Sequence, residues 1–132
     1  MNSSFILQIS SFLRATMAED LKTRTKRFAL RVIRLYGALP KSAEAQVLGK
    51  QMLRSGTSVG AHYREGVRAR STAEFISKLE GGMQELEETS YWFELILESG
   101  IVTENKMDDL MNEANELMAI LTTIVKKTKR QG

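Results

Sequence analysis

The sequence predicts an all-α protein, an antiparallel up-and-down four-helix bundle, on three observations. Apolar residues recur at three- and four-residue steps in four separate stretches, the breaks between them hold turn and capping residues, and no stretch alternates apolar with polar as a strand would. At 132 residues with 42% hydrophobic content the chain is one domain, large enough to bury a core without disulfides.

The first helix runs from Asp20 to Leu39. Leu21, Phe28, Val32, Leu35 and Leu39 share one face, and Glu19 and Asp20 suit the positive end of the helix dipole. Gly37 and Pro40 are expected to end it. After Pro40, Ser42 is placed to cap a second helix that carries Ala45, Leu48, Met52, Val59 and Tyr63 inward. Gly49, Gly56, Gly60 and Gly66 interrupt this helix, and each costs up to about 1 kcal/mol relative to Ala. Four of them predict a close approach or a bend, and Gly56, Gly60 and Tyr63 are expected at a helix or subunit contact.

Ser71-Thr72-Ala73-Glu74 is a capping box that opens a third helix reaching about Ser99. Phe75, Leu79, Met83, Leu86, Ser90, Phe93 and Leu97 keep the helical rhythm, and Gly100 is placed to stop it. Thr103 is expected to cap the fourth, whose inner face is Leu110, Ala114, Leu117, Leu121 and Ile124. Connections this short leave an up-and-down bundle over residues 18–130 as the simplest arrangement. Residues 1–17 stand apart as an N-terminal extension, either a mis-assigned start upstream of Met17 or a mobile arm. Their apolar run lacks the basic flank and cleavage site of a secretory signal.

Composition removes several classes of function. With no Cys and one His the chain has no disulfides, no thiol chemistry and no multi-His zinc site, and a reducing, cytoplasmic setting fits. No apolar run reaches the length of a membrane span. The Glu-x-x-His pairs of di-iron bundles are absent, so neither a metal nor a cofactor is expected. Ser58 and His62 lie one turn apart, but nothing near them builds an oxyanion hole. Gly49-Lys50 lacks the spacing of a phosphate loop, and Glu87-Glu88 and Asp108-Asp109 point about 100° apart on their helices. The reading is of a protein that is not an enzyme.

Charge is more informative. Residues 14–70 hold 13 Lys/Arg and 4 Asp/Glu, residues 71–125 hold 2 and 12, and residues 126–132 add four cations. Arg24, Arg27, Arg31 and Arg34 form a stripe on one flank of the first helix, and Arg54, Arg64, Arg68 and Arg70 follow on or just beyond the second. Guanidinium groups match phosphate oxygens, so Arg24, Arg27, Arg31, Arg34, Arg64 and Arg68, with Lys126, Lys127, Lys129 and Arg130, are candidate nucleic-acid contacts. The competing reading pairs the arginines with Glu80, Glu87 and Glu94, a heptad stripe on the third helix, and with Glu98 one turn on. Tyr91-Trp92-Phe93 spans about 200° of helix, so Phe93 fits the core while Tyr91 or Trp92 faces elsewhere, and Trp92 is a candidate subunit contact with base stacking as the alternative.

Particular residues also carry a family resemblance. Leu53-Arg54-Ser55-Gly56-Thr57-Ser58-Val59-Gly60-Ala61-His62-Tyr63-Arg64-Glu65, Arg68-Ala69-Arg70-Ser71 and Ala73-Glu74-Phe75 resemble bacterial four-helix-bundle proteins encoded in intervening sequences of 23S ribosomal RNA genes. Arg24-Thr25-Lys26, Phe28-Ala29, Leu39-Pro40, Leu48-Gly49, Glu88-Thr89 and Tyr91-Trp92 extend the resemblance over roughly Asp20 to Val125. It implies a homopentameric ring with a basic surface, no enzymatic activity, and a relationship to the accessory variability protein of diversity-generating retroelements. His62 stands where the family pattern has Asn, and Gly66 where Ala is usual. The expected function is therefore a non-enzymatic oligomer that binds RNA or DNA. The alternative is an adaptor for a reverse transcriptase or another nucleic-acid enzyme.

Overall fold

The computed structural model describes residues 18–131, with side chains from Leu21 onward. The expectations for residues 1–17 fall outside the described residues. Four helices account for nearly all of the described chain: α1 (Ala18–Ala38), α2 (Ala43–Val67), α3 (Thr72–Glu98) and α4 (Glu104–Gln131), with no strand among the described residues.

Pair geometry sets the directions. Along α1 and α2, Thr25 faces Gly60, Val32 faces Gly56 and Leu39 faces Gly49, so residue numbers rise on one helix as they fall on the other. Between α2 and α3, Lys78 meets Glu65 while Arg54 meets Glu85 and Glu88, the same antiparallel pattern. Near the C-terminus of α4, Lys129 reaches Glu80 in the N-terminal half of α3. The α2–α3 seam is the most extensive, and α4 closes only lightly on α1.

The helix stops follow local chemistry, with departures from the sequence reading. Gly37 does not end α1: its φ is not positive, and the helix runs through it to Ala38, stopped by Pro40, which has no amide hydrogen and disfavours helical geometry in Leu39. Gly100 ends α3 as expected, at φ +79°. The amides of Gly100 and Ile101 return to the carbonyls of Leu97 and Ile96, a Schellman closure. At the start of α3 the Ser71 hydroxyl accepts from the Glu74 amide at 3.1 Å, but the Glu74 carboxylate accepts from the Arg70 amide rather than from that of Ser71. Ser42 and Thr103, both expected to cap by side chain, behave otherwise. The Ser42 backbone is extended with no side-chain cap bond, and the Thr103 hydroxyl donates to Asn105 Oδ1.

The core contains Phe28, Met52, Val59, Tyr63, Phe75, Leu79, Leu86, Phe93, Leu117 and Leu121. Phe28 and Phe93 meet edge-on with ring centroids 6.3 Å apart, an arrangement that contributes about 0.5–1.5 kcal/mol beyond burial. Leu35, Leu48, Met83, Ser90 and Leu97, expected inside, are only partly buried. Their places deeper in the bundle are taken by Thr25, Ser55, Thr89, Ile96 and Met107. The buried hydroxyls of Thr25, Ser55, Thr89 and Thr128 are satisfied, whereas Thr72 Oγ1 is buried without a hydrogen-bond partner. Thr25 donates to the Leu21 carbonyl at 2.7 Å, and Thr89 bridges Ser55 Oγ at 2.8 Å and the Glu85 carbonyl at 2.7 Å.

Gly56 and Gly60 are contacts within the bundle. A Cβ on Gly56 would lie 2.9 Å from both Val32 methyls, and one on Gly60 would lie 3.1 Å from Thr25 Oγ1. These glycines let the α1 backbone approach α2.

Candidate nucleic-acid interface

The antiparallel order gathers cations from distant parts of the chain. The N-terminal half of α1, the C-terminal end of α2, the start of α3 and the C-terminal end of α4 all occupy one end of the bundle. Lys22, Lys26, Arg27, Arg64, Arg68, Arg70, Lys126, Lys127, Lys129 and Arg130 therefore share that end. Between α1 and α2, Lys22, Thr23, Lys26, Arg27, Leu30 and Arg64 line an open groove of about 360 Å³. Among the described residues no carboxylate lines it.

The arginines divide into two groups. Arg24 directs Nε to Glu113 at 3.0 Å and Nη2 to its other oxygen at 2.6 Å, with both side chains more than four-fifths buried. Arg24, a candidate phosphate contact on sequence grounds, thus commits its fork to α4. Arg31, seven residues on, sits on the same side and is half-buried. Arg27, Arg34, Arg64 and Arg68 are exposed, and among the described residues they form no ion pair. In the C-terminal cluster Lys129 contacts Glu80 at 2.9 Å across exposed surface, and Lys126 and Arg130 extend into solvent.

The expected glutamate stripe is not what holds the arginines. Of Glu80, Glu87, Glu94 and Glu98, only Glu80 forms an ion pair among the described residues, and its partner is a lysine. Arg54 bridges Glu85 at 3.2 Å and Glu88 at 2.5 Å. The hydrogen bond to Glu88 holds the Arg54 guanidinium above its ordinary pKa and pulls the Glu88 carboxyl below its own. Glu65 is lowered in the same way by its hydrogen bond to Lys78 at 2.8 Å. Sequence reasoning missed this ladder because Glu85 and Glu88 lie off the heptad, on the flank that turns toward α2.

Trp92 is not the outward aromatic. It is half-buried against the core and donates Nε1–H to Glu88 at 3.2 Å, whereas Tyr91 is 53% exposed. Tyr63 is buried within the core and not at the surface. His62 packs beside Gly81, with Nε2 3.9 Å from Glu85 and Nδ1 buried without a hydrogen-bond partner. Ser58 donates to the Arg54 carbonyl instead of to His62. Among the described residues no three His, Asp or Glu side chains cluster as a metal site requires, and no helix is long and apolar enough to cross a membrane.

Fold and surface thus define a class: a single four-helix bundle with cations gathered at one end. Over residues 19–123 the chain matches the family of 23S rRNA-intervening sequence proteins, and it belongs to that family. A solved structure from Bacteroides thetaiotaomicron, described as a protein of unknown function from the S23 ribosomal protein family, is 38% identical with a TM-score of 0.76. The match covers 80% of this chain and 98% of that one. No curated protein matches the chain.

Proposed function

We propose that the protein is a non-enzymatic, oligomeric nucleic-acid-binding bundle whose basic end holds a phosphate backbone. One observation carries the reading: Lys22, Lys26, Arg27 and Arg64 converge on a groove that no carboxylate lines among the described residues, and Arg68 lies exposed one turn beyond Arg64. Exposed cations left without internal counter-charges repel one another, and a phosphate chain relieves that repulsion while releasing its condensed counterions. Contacts of this kind position a strand without reading its bases, so the protein grips RNA or DNA by shape and charge.

The homopentameric ring implied by the resemblance repeats this surface around an assembly, multiplying weak contacts along one nucleic acid. The test is fluorescence anisotropy of a labelled structured RNA across a salt series. Affinity falls steeply with salt if the reading holds, and a response flat in salt removes the electrostatic mechanism. RNA absent from the complex at every salt concentration would favour the adaptor role, with a protein as the partner.

A further inference from the structure

We infer that the basic groove takes a double-helical nucleic acid, held through its two phosphate backbones, in preference to a single strand. The inference rests on the phosphate reading proposed above and narrows its ligand class.

The lining of the groove is the first observation. Lys22, Lys26, Arg27 and Arg64 supply charge, Thr23 a hydroxyl and Leu30 an aliphatic side chain. Proteins that hold single strands combine such charge with aromatic faces on which unpaired bases stack. The aromatic side chains of the described residues lie elsewhere. Phe28, Tyr63, Phe75 and Phe93 are buried, and Trp92 is half-buried with its indole N–H on Glu88. Tyr36 is half-buried at the opposite end of the bundle, where its hydroxyl donates to Gln46 Oε1 at 3.1 Å. Tyr91 is exposed, but it stands 19 residues beyond Thr72, about 28 Å along α3 from the basic end. Unpaired bases in the groove therefore meet lysine stems and Leu30, whereas the bases of a duplex already stack on one another and need no platform.

The second observation is where the cations stand. Counting along the antiparallel α1–α2 pair from the Thr25–Gly60 contact places Arg64 within one residue of the level of Lys22. Lys22 and Lys26 lie one turn apart on α1, and Arg64 and Arg68 one turn apart at the end of α2, so a row of cations flanks the groove on each side. All four are exposed and form no ion pair among the described residues. The close approach at Gly56 and Gly60 fixes the spacing of the rows, because it locks the two helices together. A flexible strand loses conformational freedom when its phosphates are held at fixed positions, whereas base pairing has already removed that freedom from a duplex. Two rows on separate helices suit two backbones, and a single strand fills one. Charge density adds to this, since affinity falls with an exponent of about 0.9 per neutralised phosphate for a duplex against about 0.7 for a single strand as salt rises.

Fluorescence anisotropy on the full chain tests this with labelled probes of equal nucleotide count: an RNA hairpin, a DNA hairpin, an unpaired RNA strand of alternating adenosine and cytidine, and the same strand with abasic sites in place of its bases. Each is titrated across a salt series. Both hairpins are expected to bind roughly tenfold or more tightly than either single strand at low salt and to lose affinity more steeply as salt rises. Abasic replacement is expected to leave the affinity of the strand unchanged. The tighter hairpin names the natural source of the duplex. An unpaired strand that binds as tightly as the hairpins overturns the inference, and so does a strand weakened by losing its bases, since Arg27 or Arg64 then stacks on them. In both of those cases salt-dependent binding keeps the phosphate reading. Failure of every probe to bind at low salt removes that reading and the duplex preference with it.

Discussion

At the scale of single residues the glycines and the buried ion pair make the sharpest demands. Gly60 sits against Thr25, whose hydroxyl is held by the Leu21 carbonyl, so a larger side chain there pushes on backbone-anchored atoms. Gly60→Leu is expected to lower stability by about 1–3 kcal/mol through overpacking, read as a lower urea midpoint at unchanged m-value. The Arg24–Glu113 fork is the strongest polar link between α1 and α4, which otherwise touch lightly. Glu113→Gln leaves a largely buried guanidinium with a neutral amide in place of its nearest carboxylate, Glu116 standing farther off at 3.8 Å, and a loss of about 1–3 kcal/mol is expected in thermal or chemical denaturation. An unchanged midpoint would show that solvent reaches Arg24 well enough to replace its partner. In the sequence, Arg24 looks equivalent to Arg27 three residues on. A rotation of about 300° around the helix axis separates a structural residue from a candidate ligand residue.

At the scale of elements, the α2–α3 seam combines close packing with a ladder of charges. Glu88 and Glu65 have folded pKa values below the ordinary carboxylate range because Arg54 and Lys78 hydrogen-bond to their ionised forms. A depressed carboxylate stabilises the fold at pH above its unfolded value, and that contribution is lost as pH falls through the folded value. Lys78 is raised by Glu65, so its share is complete below its unfolded value and fades as pH rises through the folded one. Urea midpoints should therefore drop on the acid side of the carboxylate range, and Arg54→Met should make that drop shallower. An identical acid limb in the variant would mean that solvent screening leaves the ladder without measurable effect, as for many surface pairs. The helices and the α3 cap and stop are legible from periodicity, Ser71 and Gly100. The buried threonines and Ser55 are not, because a hydroxyl bonded to its own preceding turn is apolar enough for the core, and hydropathy counts it as polar.

At the scale of the whole molecule, charge is organised by topology. The sequence divides into a basic first part and an acidic later part, which suggests a basic surface or internal neutralisation. The bundle does both. Arg24 and Arg54 are neutralised across seams, while Arg27, Arg64 and Arg68 lie at or beside the end reached by the C-terminal lysines. Replacing Arg64 and Arg68 by Glu is expected to weaken RNA binding at least tenfold at low salt and to flatten the salt dependence by about one unit for each phosphate no longer held. Equal affinity and slope in the variant would place the binding surface elsewhere. Melting should barely change, since both side chains are exposed and form no ion pair among the described residues.

The amino-acid sequence by itself determined the four helices and most of their inner faces, because apolar periodicity, one good cap, one proline and one left-handed glycine act within a turn or two of chain. It also carried the motifs that place the chain in its family, and it marked α2 as the helix needing close approach. Only the tertiary structure decided which arginines are structural, which aromatic faces outward and where the cations converge. Those outcomes depend on rotation about each helix axis and on pairings between residues roughly 30 to 90 positions apart, which no local pattern encodes.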